Sequence, residues 1–217
     1  MLSPQITSAL KILVDRSASV QAVMNASSSE NRFTNALMAL SGLAEREKIP
    51  IAIVGGLAAI HYGYPAVTED IDIAVGRADL EKLINKAVEY GFKVAWKAES
   101  GWHTLEHGDV EITVVPEGGK AKNDAPTTIP GPIEMGVVAG IDYADLPHWI
   151  ELKISSNRRK DQTHIVEVLK VQTSSIVEQV ERHLRSVHEQ YLERFRELAQ
   201  EAQEERNQEK ERGSNGI

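Results

Sequence analysis

Residues 51–75 of the chain read IAIVGGLAAIHYGYPAVTEDIDIAV. The unbroken aliphatic run at 51–54 is typical of a buried strand, and the Gly55-Gly56 pair that follows it indicates a tight turn. A helix-compatible segment comes next. Residues 69–75 then alternate acidic and aliphatic side chains, as a strand with one charged face does. The segment therefore predicts a strand, a glycine turn, a helix and a second strand.

Helices and short strands are predicted on both sides of this segment. Apolar side chains recur at three- and four-residue spacing in residues 30–47 and again in 78–90, which is typical of amphipathic helices. Aliphatic runs predict further strands at 92–96 and 110–115. The segment 117–140 is rich in Gly, Pro and Thr, so we expect mostly loop there.

The C-terminal third of the chain is predicted to be helical. The helical pattern begins at residue 151, and a capping-box spacing between Ser175 and Glu178 marks the start of a long helix. Its apolar positions step by three or four as far as Leu198, forming a narrow seam. We expect this helix to pack on its own domain and, beyond that, on a second copy of the chain as a homodimer. Beyond Gln203 the sequence is almost entirely polar, and fraying is expected.

Composition excludes several classes of protein. Hydrophobic residues make up 41% of the 217 residues and charged residues 26%, which excludes disorder throughout. No apolar run approaches the roughly 18 residues of a membrane helix, and no leader-like N-terminus is seen, so we expect a soluble, cytoplasmic protein without a membrane partner. The absence of cysteine leaves carboxylate and histidine as metal ligands. A net charge of -8 argues against nonspecific nucleic-acid binding.

Asp70 and Asp72 are the strongest candidates for a functional site. Residues i and i+2 of a strand lie on one side with Cα atoms about 6.6 to 6.8 Å apart, so both carboxylates can reach one divalent cation. A Gly-Gly turn before a helix leaves backbone N–H groups that a phosphate can approach. The segment therefore suits a metal-bound triphosphate. Taken singly, such a triplet is more often the solvent face of an edge strand, and such a glycine pair a plain turn.

The order of these elements resembles the nucleotidyltransferase superfamily with the DNA-polymerase-β-like catalytic fold. The signature is an aliphatic residue, two glycines, a spacer and two acids flanking an aliphatic residue, here Val54-Gly55-Gly56 and Asp70-Ile71-Asp72-Ile73. The resemblance implies a third carboxylate on a later strand. Glu111 is favoured because aliphatic residues flank it, with Asp109 as the alternative. These acids would bind Mg²⁺ or Mn²⁺.

A second segment carries the same resemblance. Residues 151–161 are similar to a stretch of the minimal nucleotidyltransferases, including the transferase-like toxins of abortive-infection toxin–antitoxin systems. The resemblance, which covers about residues 35–172, implies that a helix lysine faces the triphosphate and that a basic turn borders it. It also implies an antitoxin-type partner. Many relatives have a further aspartate where this chain has His164. The nucleotide-binding residues implied here are Lys153, Arg158, Lys160 and Asp161, together with Gly55 and Gly56.

The patterns together predict an α+β fold: a small mixed β-sheet with helices on one face, and a C-terminal helical region with one long helix. The expected boundaries are an N-terminal extension at 1–30, a nucleotidyltransferase catalytic domain at 31–150, the helical region at 151–212 and a disordered tail at 213–217.

The resemblance implies an enzyme that transfers a nucleoside monophosphate from an NTP to a hydroxyl acceptor and releases pyrophosphate. The acceptor stays open between a small molecule, an RNA end and a protein. The alternative is a catalytically silent nucleotide-binding or protein-interaction module of the same fold.

Overall fold

The computed structural model describes residues 29–64, 68–98 and 100–214. Nearly all of the expected N-terminal extension and the last three residues of the expected tail lie outside these ranges. The described residues divide into two compact units. The sheet unit comprises the described parts of 29–61, 65–119 and 128–145, and the helical unit comprises 62–64, 120–127 and 146–214.

The sheet unit alternates helices and strands along the chain. Its helices are α1 (Ser29–Glu47), α2 (Gly55–His61) and α3 (Leu80–Ala87), the last extended by a 3₁₀ turn at Val88–Tyr90. Its strands are β1 (Ile51–Ile53), β2 (Asp70–Val75), β3 (Lys93–Lys97), β4 (His103–His107), β5 (Val110–Pro116) and β6 (Ile141–Tyr143).

The six strands form one mixed sheet in the order β3-β4-β5-β2-β1-β6. β2 runs parallel to β5 and β1 parallel to β6, whereas the other neighbours are antiparallel. The predicted mixed sheet is therefore confirmed. β4 and β6 were not predicted as strands. The β4 sequence His-Thr-Leu-Glu-His contains a single aliphatic residue, so its strand conformation depends on pairing with β3 and β5 more than on its own pattern.

One face of the sheet is apolar. Ile71 and Ile73 of β2 and Ile112 of β5 are fully buried on it, as the alternation of a strand requires. α1 lies against β4 and β5, and α3 lies against β3. α1 buries Leu37, Leu40 and Leu43 completely. The intervening acidic residues of β2 and β5 must therefore point to the opposite face.

The helical unit contains four helices in its described residues: α4 (Leu146–Ser156), α5 (Arg159–Lys170), α6 (Ser174–Val187) and α7 (Glu189–Ser214). The long helix predicted from Ser175 to Leu198 is interrupted, because His188 adopts an extended backbone between α6 and α7. The apolar periodicity continues across this interruption, so the pattern did not reveal it. The long C-terminal helix is α7, with 26 residues.

α6 and α7 pack side by side as an antiparallel pair. Arg196 of α7 donates from Nε to Oε1 of Glu181 on α6 at 2.8 Å, although the two residues are 15 apart in sequence. The apolar seam is buried within this unit at Val180, Leu184, Tyr191, Phe195 and Leu198. Its side chains are therefore already covered by the chain itself.

α7 remains helical well beyond Gln203, where fraying was expected. Lys170 of α5 bridges to Glu205 at 3.2 Å and also to Glu209, so the polar end of α7 is held by charge pairs rather than by apolar packing. None of the helices in the described residues is both long and apolar enough to cross a membrane.

Candidate functional site

Three carboxylates share the face of the sheet opposite the apolar one. β2 and β5 pair in parallel with Asp70 opposite Glu111 and Asp72 opposite Thr113. Paired residues in a sheet point to the same side, and neighbouring strands lie about 4.8 Å apart. Asp70, Asp72 and Glu111 therefore lie side by side, with the two aspartates half-buried and Glu111 exposed.

Asp109, the alternative third acid, has a different environment. It precedes β5, and its carboxylate accepts a hydrogen bond of 2.6 Å from Nη1 of Arg32 on α1. That hydrogen bond holds the pKa of the exposed Asp109 carboxyl below its usual value. Asp109 is therefore bound to α1, which packs on β4 and β5. The pairing of β2 with β5 places Glu111, and not Asp109, opposite Asp70.

The glycine pair lies directly against the two aspartates. Gly55 has a φ of +64°, and a Cβ added there would lie 1.8 Å from Oδ2 of Asp72. A Cβ on Gly56 would lie 2.8 Å from Oγ1 of Thr68, which donates a 2.7 Å hydrogen bond to Oδ1 of Asp70. Any side chain at Gly55 would therefore occupy the position of the Asp72 carboxylate.

A fourth acid on the same face was missed by the sequence reasoning. Glu106 of β4 pairs with Glu111 in the antiparallel register, so both side chains point the same way. The sequence could have pointed to Glu106 only if residues 103–107 had been recognised as a strand. Glu106 is half-buried and stands one strand further from Asp70 than Glu111 does.

Four of the six predicted nucleotide-binding residues lie in the helical unit, whereas Gly55 and Gly56 lie in the sheet unit. Three of these four form one network. Lys153 Nζ lies 2.7 Å from Oδ1 of Asp161, and Arg158 Nε lies 2.7 Å from Oδ2. The Ser156 hydroxyl also donates to Asp161. Asp161 is fully buried and Lys153 nearly so, whereas Lys160 is exposed and stands outside the network. Burial alone would raise the pKa of Asp161, but Lys153 and the three hydrogen bonds lower it below its usual value.

The environment of His164 favours its neutral form. The resemblance implies an acid at this position in many relatives. The His164 ring packs against Tyr64 with centroids 4.7 Å apart. Its Nδ1 is buried and has no hydrogen-bond partner among the described residues. Burial, reinforced by the positive charge of Lys153, lowers the pKa of His164 to about 4.

Comparisons with known proteins give a limited result. No family model and no curated protein matches this chain. A solved structure that is similar is the solution structure of the antibiotic-resistance factor ANT(2'')-Ia, at 14% identity and a TM-score of 0.41. The match covers 84% of this chain and 98% of that one. A likeness of this degree establishes neither a family nor an activity.

The acidic face has the donor chemistry of a Mg²⁺ or Mn²⁺ site, because these ions prefer carboxylate oxygen. The carboxylate oxygens of Asp70, Asp72 and Glu111 are further apart than the ligands of a bound cation. Within the described residues, they do not all lie within 4.8 Å of one another. Like charges separate unless a cation lies between them. Glu111 is the exposed member of the three, so its side chain is the least constrained by packing.

Gly55→Ala tests the close contact with Asp72, and Gly108→Ala is the matched control. Gly108 has nearly the same φ, +63°, but nothing lies within 4 Å of a Cβ built there. Both changes place alanine in the left-handed region, at a cost of about 1 kcal/mol. We expect Gly55→Ala to cost about 2 kcal/mol more, because Asp72 must move. Urea unfolding measures both, and equal costs would contradict the contact.

His164 predicts a pH dependence of stability. Its pKa is about 4 in the folded chain and about 6.5 in the unfolded chain. As the pH falls below about 6.5 the unfolded state binds the proton first, so stability is lost progressively down to about pH 4. We expect His164→Gln to lose less stability than the wild type between pH 7 and pH 4.5. Urea midpoints at the two pH values measure this, and identical losses would argue against a buried neutral His164.

Proposed function

We propose that the chain is a nucleotidyltransferase that transfers a nucleoside monophosphate from an NTP to a hydroxyl acceptor and releases pyrophosphate. One observation supports this most strongly: Asp70, Asp72 and Glu111 occupy one face of two neighbouring parallel strands, with Gly55 packed against Asp72. Three adjacent carboxylates repel one another, so their grouping is unfavourable for stability alone. Such a grouping is understandable where the acids hold a cation.

In this proposal Asp70, Asp72 and Glu111 hold Mg²⁺ or Mn²⁺ together with the NTP phosphates. The bound cation would offset phosphate charge and make the acceptor hydroxyl easier to deprotonate. Because Gly55 and Gly56 carry no Cβ, the Asp72 carboxylate and the Thr68 hydroxyl lie directly against the backbone at the start of α2. The proposal places the NTP phosphates beside this backbone.

The exposed carboxylate of Glu111 is the proposed acceptor of the hydroxyl proton. The acceptor oxygen bonds to the α-phosphorus, and the bond from that phosphorus to the pyrophosphate oxygen breaks, so that pyrophosphate leaves with the bonding electrons. Positioning of the two reactants provides much of the rate enhancement in such a reaction.

We propose that Arg158 and Lys160, two basic residues of the helical unit, bind the nucleotide, as the resemblance implies. The Arg158 side chain is 61% exposed and Lys160 is also exposed, so both are accessible to a phosphate. Lys153 forms a buried ion pair with Asp161, and the Asp161 carboxylate also contacts Arg158. We propose that this pair sets the position of the Arg158 side chain.

Transfer of label tests the proposal. The full chain is incubated with Mg²⁺ or Mn²⁺, with each NTP labelled at the α-phosphate, and with small hydroxyl compounds, RNA or cell extract as acceptors. The α-label should appear on an acceptor, whereas a γ-label should leave as pyrophosphate. NTP binding without transfer to any acceptor would favour the silent module. The absence of both binding and transfer would overturn the proposal.

A further inference from the structure

Two histidines and a buried glutamate meet in the helical unit. His148 and Glu151 are three residues apart on α4, so they lie on the same side of the helix. His183 of α6 places its Nε2 2.7 Å from Oε2 of Glu151. The rings of His148 and His183 have centroids 4.3 Å apart and are tilted by 59°.

This group is suited to binding a metal ion. One ligand atom from each of the three residues lies within 4.8 Å of the other two, and no other group of three or more acids and histidines in the described ranges meets that condition. The three side chains come from two helices that are joined only through α5, so the grouping depends on the tertiary structure. Helical spacing explains the first two members but not His183.

Glu151 is the member whose environment most needs a cation. Its side chain is only 6% exposed, and within the described residues its hydrogen-bond and ion-pair partner is His183 rather than a lysine or arginine. A buried carboxylate is unfavourable unless a cation and hydrogen bonds compensate it. A cation held by this carboxylate and both imidazole rings would compensate the buried charge.

We propose that His148, Glu151 and His183 bind a Zn²⁺ ion that links α4 to α6. Two imidazole nitrogens and one carboxylate oxygen are a ligand set that zinc takes where three protein ligands leave one position open, here for water. This site is independent of the proposed transferase function, because it uses none of the acids of the sheet.

The observed spacing is close to that of a tetrahedral site. Ligand atoms around tetrahedral zinc lie about 3.3 Å apart, given bond lengths near 2.0 to 2.1 Å. The contact between Glu151 and His183 would therefore open by about 0.6 Å, and the wider separations would close by at most about 1.5 Å. Both shifts are smaller than the displacement that a change of side-chain rotamer produces.

The binding test uses the full chain carrying Asp70→Asn and Asp72→Asn, so that the acid pair of the sheet cannot hold the ion. Zn²⁺ is titrated by calorimetry, and Co²⁺ is added as a spectroscopic probe. We expect one equivalent to bind, visible absorption typical of low-coordinate Co²⁺, and a rise in the thermal unfolding midpoint, because the ion binds the folded state.

Two single variants locate the ion. His183→Gln retains an amide donor for Glu151, which protects the fold, and His148→Gln removes the other imidazole. Loss of either ligand should weaken binding by about 100-fold or more, since even indirect partners of a metal contribute 10- to 100-fold. His188→Gln, which lies outside the group, should bind as the parent does.

Two outcomes would overturn the proposal. One is the absence of Zn²⁺ binding by the parent chain. The other is equal affinity in the parent, His148→Gln and His183→Gln, which would place the ion elsewhere. Neither outcome bears on nucleotidyl transfer, which is measured separately in the chain with its acids intact.

Discussion

Replacement of Asp70 and Asp72 by asparagine is expected to lower the rate of nucleotidyl transfer by about a thousandfold or more. The two carboxylates supply most of the negative charge that would hold the cation, and loss of about 4 kcal/mol of charge stabilisation corresponds to three factors of ten in rate. The assay is transfer of α-label from the NTP, with kcat and KM determined separately.

The same replacement should leave stability unchanged or slightly raised. Asp70 and Asp72 lie on one side of β2, next to Glu111, so the folded chain holds three like charges together. Neutral side chains relieve that repulsion. A thermal midpoint that stays level while activity disappears would identify the acids as functional rather than structural.

Three further variants identify the third acid. Glu111→Gln should lose activity as the aspartate variants do. Glu106→Gln is the control on the same face, and Asp109→Asn is the control for the acid bound to Arg32. Activity retained by Glu111→Gln but lost in Asp109→Asn would show that the register-based assignment is wrong.

Lys153→Met is expected to destabilise the chain by about 3 kcal/mol. It leaves the fully buried Asp161 without its buried cation, although Arg158 and Ser156 still contact that carboxylate. Removal of one partner of a buried ion pair typically costs about 3 to 5 kcal/mol. We place the expected value at the lower end because those two contacts remain. Urea unfolding measures the difference.

Lys160→Met is the matched control, since Lys160 belongs to the same basic segment but is exposed. Its effect should stay within about 0.5 kcal/mol. The double change Lys153→Met with Asp161→Leu should recover part of the lost stability, because no unpaired buried charge remains. Equal stabilities for Lys153→Met and Lys160→Met would contradict the buried pair.

The sequence was most informative where the pattern is local. The order β1, α2, β2 follows from residues 51–75, with the glycine pair forming the first two residues of α2. The shared side of Asp70 and Asp72 follows from strand alternation alone. The pairing of Asp70 with Glu111 does not follow from alternation, because it depends on β5 lying beside β2 in the sheet. Only the family resemblance suggested an acid at that position.

Features that depend on tertiary contacts were not predictable from the sequence. β4 has one aliphatic residue and becomes a strand through its neighbours. The break at His188 interrupts a seam whose periodicity continues on both sides. The sequence placed Lys153 and Asp161 in one functional segment, but residue type does not reveal that they are buried and bound to each other. His148 and Glu151 are close in sequence, whereas His183 joins them only through packing of α6.

Binding of Mn²⁺ in the presence of a non-hydrolysable NTP analogue, followed by electron paramagnetic resonance, tests the central claim most directly. The parent chain carries His148→Gln and His183→Gln, so that only the acidic face is examined. We expect Mn²⁺ and the analogue to bind together in this parent. Binding should be lost when Asp70 and Asp72 become asparagine, and also when Glu111 becomes glutamine. Equal binding in the parent and all these variants would contradict the assignment of the three carboxylates to a shared cation.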